Sequence, residues 1–204
     1  MISLANRSND SALYFAELPK ASAIVGCLPE LGFYCACLAA YNNGLMHGNW
    51  IDLDLCSDVE DIKAAIDLVL KSSPEAGAEE YAAHDYSGLP GYLTDSEWPD
   101  LAALIEYKEA RAHFTGSGEL LRLEAFELLC EDRHATVSAD DLDENFCGFY
   151  TSGAEYAQDL ACDTGAINNS MKWPLDCIDW DEAFRALDMN TFRANGGLYV
   201  FNNF

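Results

Sequence analysis

Thirty-five acidic residues against eleven basic ones give this 204-residue chain a formal charge of −24, and no fold can bury such an excess. An ionised carboxylate removed from water without a partner neutralises rather than stay charged. Eleven bases cannot partner 35 acids, so most of the acid must lie at the surface. A chain with this charge stays unfolded when it lacks aromatic and β-branched residues. Here half the residues are hydrophobic, with ten Phe, ten Tyr and four Trp. A sizeable core beneath an acidic shell is the consequence.

Solubility alone needs a net charge of only ~2–8 for a small domain. Halophilic adaptation fits poorly with eight cysteines and so many large aromatics. The remaining explanation is a surface offered to a basic partner. Duplex DNA carries one charge per about 1.7 Å of axis, so 24 charges match roughly 41 Å of helix. A compact chain of this length has a radius of gyration of roughly 17 Å and spans about 40–45 Å. Per unit length, the protein is charged about as densely as DNA.

The charge is uneven: residues 1–51 hold three acids and two bases, and the rest of the acid follows. The sequence predicts an α+β fold, a chain of three small modules. Residues 1–32 form an extension of unknown role, with a short helix or strand at 9–18. The first α+β module spans 33–91. There "FYCACLAAY" and "LMHGNWIDLD" flank Asn42-Asn43-Gly44 as a β-hairpin, with Trp50 and Ile51 on opposite faces. Asp52 and Asp54 would share one strand face, about 6.6–6.8 Å apart, close to two steps of about 3.4 Å along one DNA strand. A helix capped by Ser57 and Glu60 follows, its apolar residues Val59, Ile62, Ile66, Val69 and Leu70 at helical spacing. A third strand covers "EEYAAHDYSG".

The second module, 92–134, reads as helical. A capping box at Thr94 and Glu97 precedes a helix with Leu101, Leu104, Ile105 and Ala112 on one side. After Gly-Ser-Gly at 116–118, a second helix sets Leu120, Leu123 and Cys130 on one face. Glu124, Glu127 and Glu131 line another, with no cation between them. The third module, 135–204, is again α+β. It has a short helix at "ADDLDENF", a helix opened by Ser152 and Glu155, and a loop at 168–177. A helix burying Trp180, Phe184 and Leu187 leads to a terminal strand "GLYVFNN".

No catalytic constellation emerges. His47, His84, His113 and His134 lack zinc-ligand spacing, and His47 is more simply a structural residue. "GLPGYL" and "GSGELL" match no phosphate-binding loop. The acid pairs at 140–144 lack the EF-hand pattern. No metal or cofactor is expected, and eleven bases exclude a phosphate-binding stripe for nucleic acid. None of the cysteines forms a C-x-x-C pair. The N-terminal residues carry no secretory pattern and no apolar run reaches membrane-spanning length. These features predict a cytoplasmic protein with reduced, mostly buried thiols and no membrane partner.

"YCACLAAYNNGLMHGNWIDLD" and "GAEEYAAHDYSG" resemble the opening module of the ArdA antirestriction family. Tyr41, Asn42, Gly44, His47, Gly48, Trp50, Ile51 and Asp52 fall in register with its first motif. Glu79, Glu80, Tyr81, His84, Asp85 and Tyr86 do so with its second. "FCGFYTSGAEYAQDL" and "IDWDEAF…GGLYVFNN" extend the similarity through the C-terminal third, and the fit is loosest between 92 and 135.

The resemblance implies a non-enzymatic mimic of B-form DNA, an elongated chain of three small modules carried on mobile genetic elements and acting as a homodimer in the bacterial cytoplasm. Its partner would be a type I restriction–modification methyltransferase or endonuclease complex. The carboxylates expected to imitate phosphates fall into successive groups. The first module offers Asp52, Asp54, Asp58, Asp61, Glu79 and Glu80; the second offers Asp95, Glu97, Glu106, Glu109, Glu124, Glu127 and Glu131. Asp140, Asp141, Asp143, Glu144, Glu155 and Asp159 complete the set. Arg122 and Arg133 interrupt the acidity of the middle helices. Two alternatives stand beside this reading: a mimic aimed at a CRISPR effector or nucleoid protein, and a metal-dependent enzyme using clustered carboxylates.

Overall fold

The computed structural model describes residues 23–115, 120–168, 173 and 175–202. They form a mixed α+β chain with two small antiparallel sheets. The short element expected at 9–18, the 116–118 spacer and much of the 168–177 loop lie outside the described residues. The chain packs as two compact units, one ending at Ala112 and the other beginning at His113. That division falls inside the 92–134 segment.

In the first unit, β1 (Ile24–Val25), β2 (Gly32–Cys37), β3 (Gly48–Asp52) and β4 (Tyr81–Ser87) make one sheet in the order β1-β3-β2-β4. Residues 23–31, which the sequence sets apart, belong to it. Ile24 pairs with Ile51, and Ala23 and Leu31 are buried. Beyond β2, the chain makes a short helix, α1 (Leu38–Asn42), instead of a tight hairpin. Leu45 N–H donates to Ala40 O and Gly44 N–H to Tyr41 O, each at 2.9 Å. Gly44 sits at φ +77°. This is a Schellman ending, so Asn43-Gly44 stops a helix. The two strands remain antiparallel neighbours, with Tyr34 opposite Trp50.

After β3, Leu53 turns into the core, fully buried, with its N–H on Leu31 O. The chain makes a 3-10 turn over Leu53–Leu55, and Asp52 accepts the Asp54 N–H at 3.0 Å. Asp52 and Asp54 therefore do not share a strand face, which was the basis of the phosphate-like spacing expected of them. Helix α2 (Val59–Lys71) buries Ile62, Ala65, Ile66, Val69 and Leu70, the i, i+3, i+4, i+7, i+8 stripe of a core-facing helix. That stripe packs against β2 and β3. Its N-cap is Asp58, one residue later than expected, accepting from the Glu60 and Asp61 amides at 2.8 and 3.1 Å. His47 bridges its other end, within 3.0 Å of Val69 O and 3.1 Å of Ser72 Oγ, the structural role expected.

Helix α3 (Gly91–Thr94) ends where a capping box was expected to begin, the Thr94 hydroxyl donating to Gly91 O. Asp100 instead accepts from the Ala102 and Ala103 amides at the start of α4 (Leu101–Thr115). Leu104, Ile105 and Tyr107 of α4 are buried and Ala112 is exposed, so the stripe runs through Tyr107 rather than to Ala112.

The second unit holds α5 (Leu120–Arg133), α6 (Ala139–Asn145), β5 (Phe146–Tyr150), α7 (Gly153–Asp163), α8 (Trp180–Leu187), β6 (Asn190–Ala194) and β7 (Gly197–Phe201). Its sheet runs β5-β7-β6. Asn195 and Gly196, both at positive φ, turn β6 into β7, the Asn-Gly hairpin signal. β7 is buried along its whole length and alternates its packing. Leu198 and Val200 meet Tyr156, Leu160 and Phe184, while Tyr199 and Phe201 meet the rings of Phe146, Phe149 and Phe192. Helix α5 buries Ala125, Phe126, Leu129 and Cys130, leaving Leu120 73% exposed. Leu120 is thus not on the core face expected of it. Trp180 and Phe184 are half-buried and Leu187 is exposed. All eight thiols are free; four are buried, and Cys27 and Cys177 are exposed.

Candidate partner-binding surface

No carboxylate is buried among the described residues. Of the acids expected to face a partner, all are exposed except Asp52, Glu124 and Glu127, which are half-buried. Exposure alone does not make them equivalent, because the local structure engages several of them.

Asp58 and Asp61 hold the start of α2, Asp61 accepting the Ser57 N–H at 2.7 Å. Asp141 and Ser138 form a reciprocal capping box on α6, a signal overlooked in the sequence. Ser152 caps α7 as expected, while the Glu155 carboxylate reaches back to the Thr151 amide and hydroxyl, at 2.7 and 2.6 Å. Hydrogen bonds to Ser138 hold the Asp141 carboxyl below the usual carboxylate range, and those to Thr151 do the same for Glu155. Asp52 goes the other way. Its partial burial raises it, against the Asp54 backbone hydrogen bond and with help from the Asp54 and Glu30 charges. Glu124 accepts from the buried Tyr199 hydroxyl, and Asp143 pairs with Arg122. Glu124 is therefore a packing partner, not the first member of a free acidic ridge.

The others differ. Asp54, Glu79, Glu80, Asp95, Glu97, Glu106, Glu109, Asp140, Glu144 and Asp159 have side chains with no hydrogen bond or ion pair among the described residues. The cations sit elsewhere: Lys63 on Glu60, Lys71 on Asp67, Arg111 on Glu30 and Arg185 on Glu182. Fixed carboxylates without counter-cations create a field that attracts basic surfaces and repels nucleic acid.

The most perturbed thiol, Cys35, is pushed up to about 12 by burial and by Cys37 beside it, the opposite of an activated nucleophile. No group of three or more metal-ligating side chains converges among the described residues, and no described helix is long and apolar enough to cross a membrane.

The family model described as antirestriction protein (ArdA) matches residues 33–200. No curated protein matches the chain. The matched span takes in both sheets except the edge strand β1, the start of β2 and the end of β7. The family is one of inhibitors of restriction and modification, not of known enzymes. The chain belongs to the ArdA family of antirestriction proteins.

Proposed function

We propose that this protein inhibits type I restriction–modification enzymes by imitating B-form DNA, its exposed carboxylates occupying the enzyme's DNA-binding groove. The observation that carries this reading is the set of exposed acids without cations, in a chain of net charge −24. A basic groove built for phosphates gains from such a surface, and the gain is screened by salt. The proposal includes a homodimer acting in the bacterial cytoplasm. It also takes the chain as three modules, 33–91, 92–134 and 135–204, preceded by 1–32, of which residues 24 and 25 pair into the first module's sheet.

A restriction assay tests it. Cells carrying one defined type I system are transformed with an unmodified plasmid, with and without this protein. Recovery of transformants is expected with the protein. Unchanged restriction at demonstrated expression of folded protein would contradict the proposal.

A further inference from the structure

Beside β4 the first unit holds an open groove of about 820 Å³. Its walls include Tyr41, His84, Tyr86, Asp85, Asp95 and Glu97. The groove is fixed on both sides. Ala83 N–H donates to Glu97 O at 2.7 Å, the Tyr86 hydroxyl to Ser96 O at 2.5 Å, and Trp98 Nε1 to Tyr81 O at 3.0 Å. Residues 96–98 are thereby strapped along the edge of the sheet. Tyr41 is 51% exposed and packs edge-on against His84, ring centres 4.7 Å apart. A second hollow of about 410 Å³ shares the Leu38 wall and is floored by Tyr81 and by Trp98, itself 60% exposed.

Three carboxylates therefore share a concavity with the exposed rings of Tyr41 and His84 and the half-buried ring of Tyr86, and none of the three has a cation among the described residues. The charge selects a cation. The rings select one that is planar and weakly hydrated, since a guanidinium stacks on aromatic faces and pairs with carboxylates in a way an ammonium does not. We infer that this groove receives an arginine side chain of the protein partner. Resting on the proposed DNA mimicry, the inference adds a localised anchor to an otherwise diffuse acidic surface. The imitation would then be uneven, with one site reading the shape of a phosphate-binding arginine as well as its charge.

The test has two arms. In the first, backbone amide NMR shifts of the full chain are followed while a short Gly-Arg-Gly-Arg-Gly peptide is added, then its citrulline counterpart. Saturable shifts confined to residues 83–86 and 95–98, absent with citrulline and abolished by Asp95→Asn with Glu97→Gln, are expected. Those two carboxylates carry no hydrogen bond among the described residues, so the fold should survive their loss, which the remaining amides report. Shifts spread evenly over the acidic surface, or persisting in that variant, would overturn the inference. In the second arm, the same variant should weaken binding to a type I methyltransferase about tenfold. Asp163→Asn with Asp176→Asn, the same charge change elsewhere, should cost about twofold or less. Equal losses would overturn the arginine site while leaving mimicry intact. A wild-type chain that binds the peptide in the groove but not the enzyme would sink the proposed function and leave the site standing.

Discussion

The stretch Glu79–Glu97 and the stretch Glu124–Glu155 are both rich in acid, but they use it differently. In the second, Glu124 holds the Tyr199 hydroxyl, Asp143 pairs with Arg122, and Asp141 and Glu155 fasten helix starts. In the first, Asp85 accepts the Tyr86 N–H, but the carboxylates of Glu79, Glu80, Asp95 and Glu97 fasten nothing among the described residues. One set of carboxylates is part of the fold; the other is held out by it. A binding surface read from acid content alone merges the two. The structure separates acids whose loss should cost stability from acids whose loss should cost only attraction.

The largest effect that could break this contrast is Glu124→Ala. It leaves the buried Tyr199 hydroxyl short of an acceptor, at a cost of about 1–3 kcal/mol, read from a urea melt. Binding per folded molecule should change little. Asp58→Ala comes next, removing the α2 cap for about 0.5–2 kcal/mol, with the same readout. Glu106→Gln and Glu109→Gln should each shift stability by less than about 0.5 kcal/mol. If they destabilise as much as Glu124→Ala, the distinction between fastening and unfastened carboxylates is wrong.

An acid titration sharpens it further. The carboxyls of Asp141 and Glu155 are held below their ordinary range. They contribute stability that is present above the unfolded-state carboxylate range, about pH 4. It is lost as pH falls through their lower folded values. Asp52 is raised, so its contribution has the opposite sign, present below its unfolded value and lost as pH rises through the folded one. Removing the hydroxyl hydrogen bond to Glu155 with Thr151→Val, which keeps the backbone one, should partly flatten the acid limb of the stability profile, whereas Asp52→Asn should raise stability at neutral pH relative to pH 3. The comparison is made by urea melts at each pH.

Much of this was legible in the chain. Helix α2 could be read from its apolar spacing, and β2, β3, β4 and β7 from their patterns and flanking turns. What could not be read has identifiable causes. Asn43-Gly44 serves equally to turn a hairpin and to end a helix, because both need a residue at positive φ. Ser57 and Asp58 are adjacent cap candidates of similar strength, and only the helix itself chose Asp58. The Asn195-Gly196 signal for the β6–β7 hairpin was present and overlooked. The family emerged from local motifs, which are dense in the first unit. The division among carboxylates was invisible for another reason: Glu124 and Tyr199 are 75 residues apart, and the Asp143–Arg122 pair joins two different helices. Such partners appear only once the sheet and helices of the second unit are assembled.

The central claim, that the unfastened carboxylates stand in for DNA phosphates, is tested most directly by competition on a purified type I methyltransferase. Its affinity for this protein is measured from about 50 to 200 mM salt, with and without a duplex carrying its recognition site. The account predicts that affinity falls at least about tenfold across that range and that the duplex and the protein displace each other. An affinity indifferent to salt, or a ternary complex holding protein and duplex together, would contradict it.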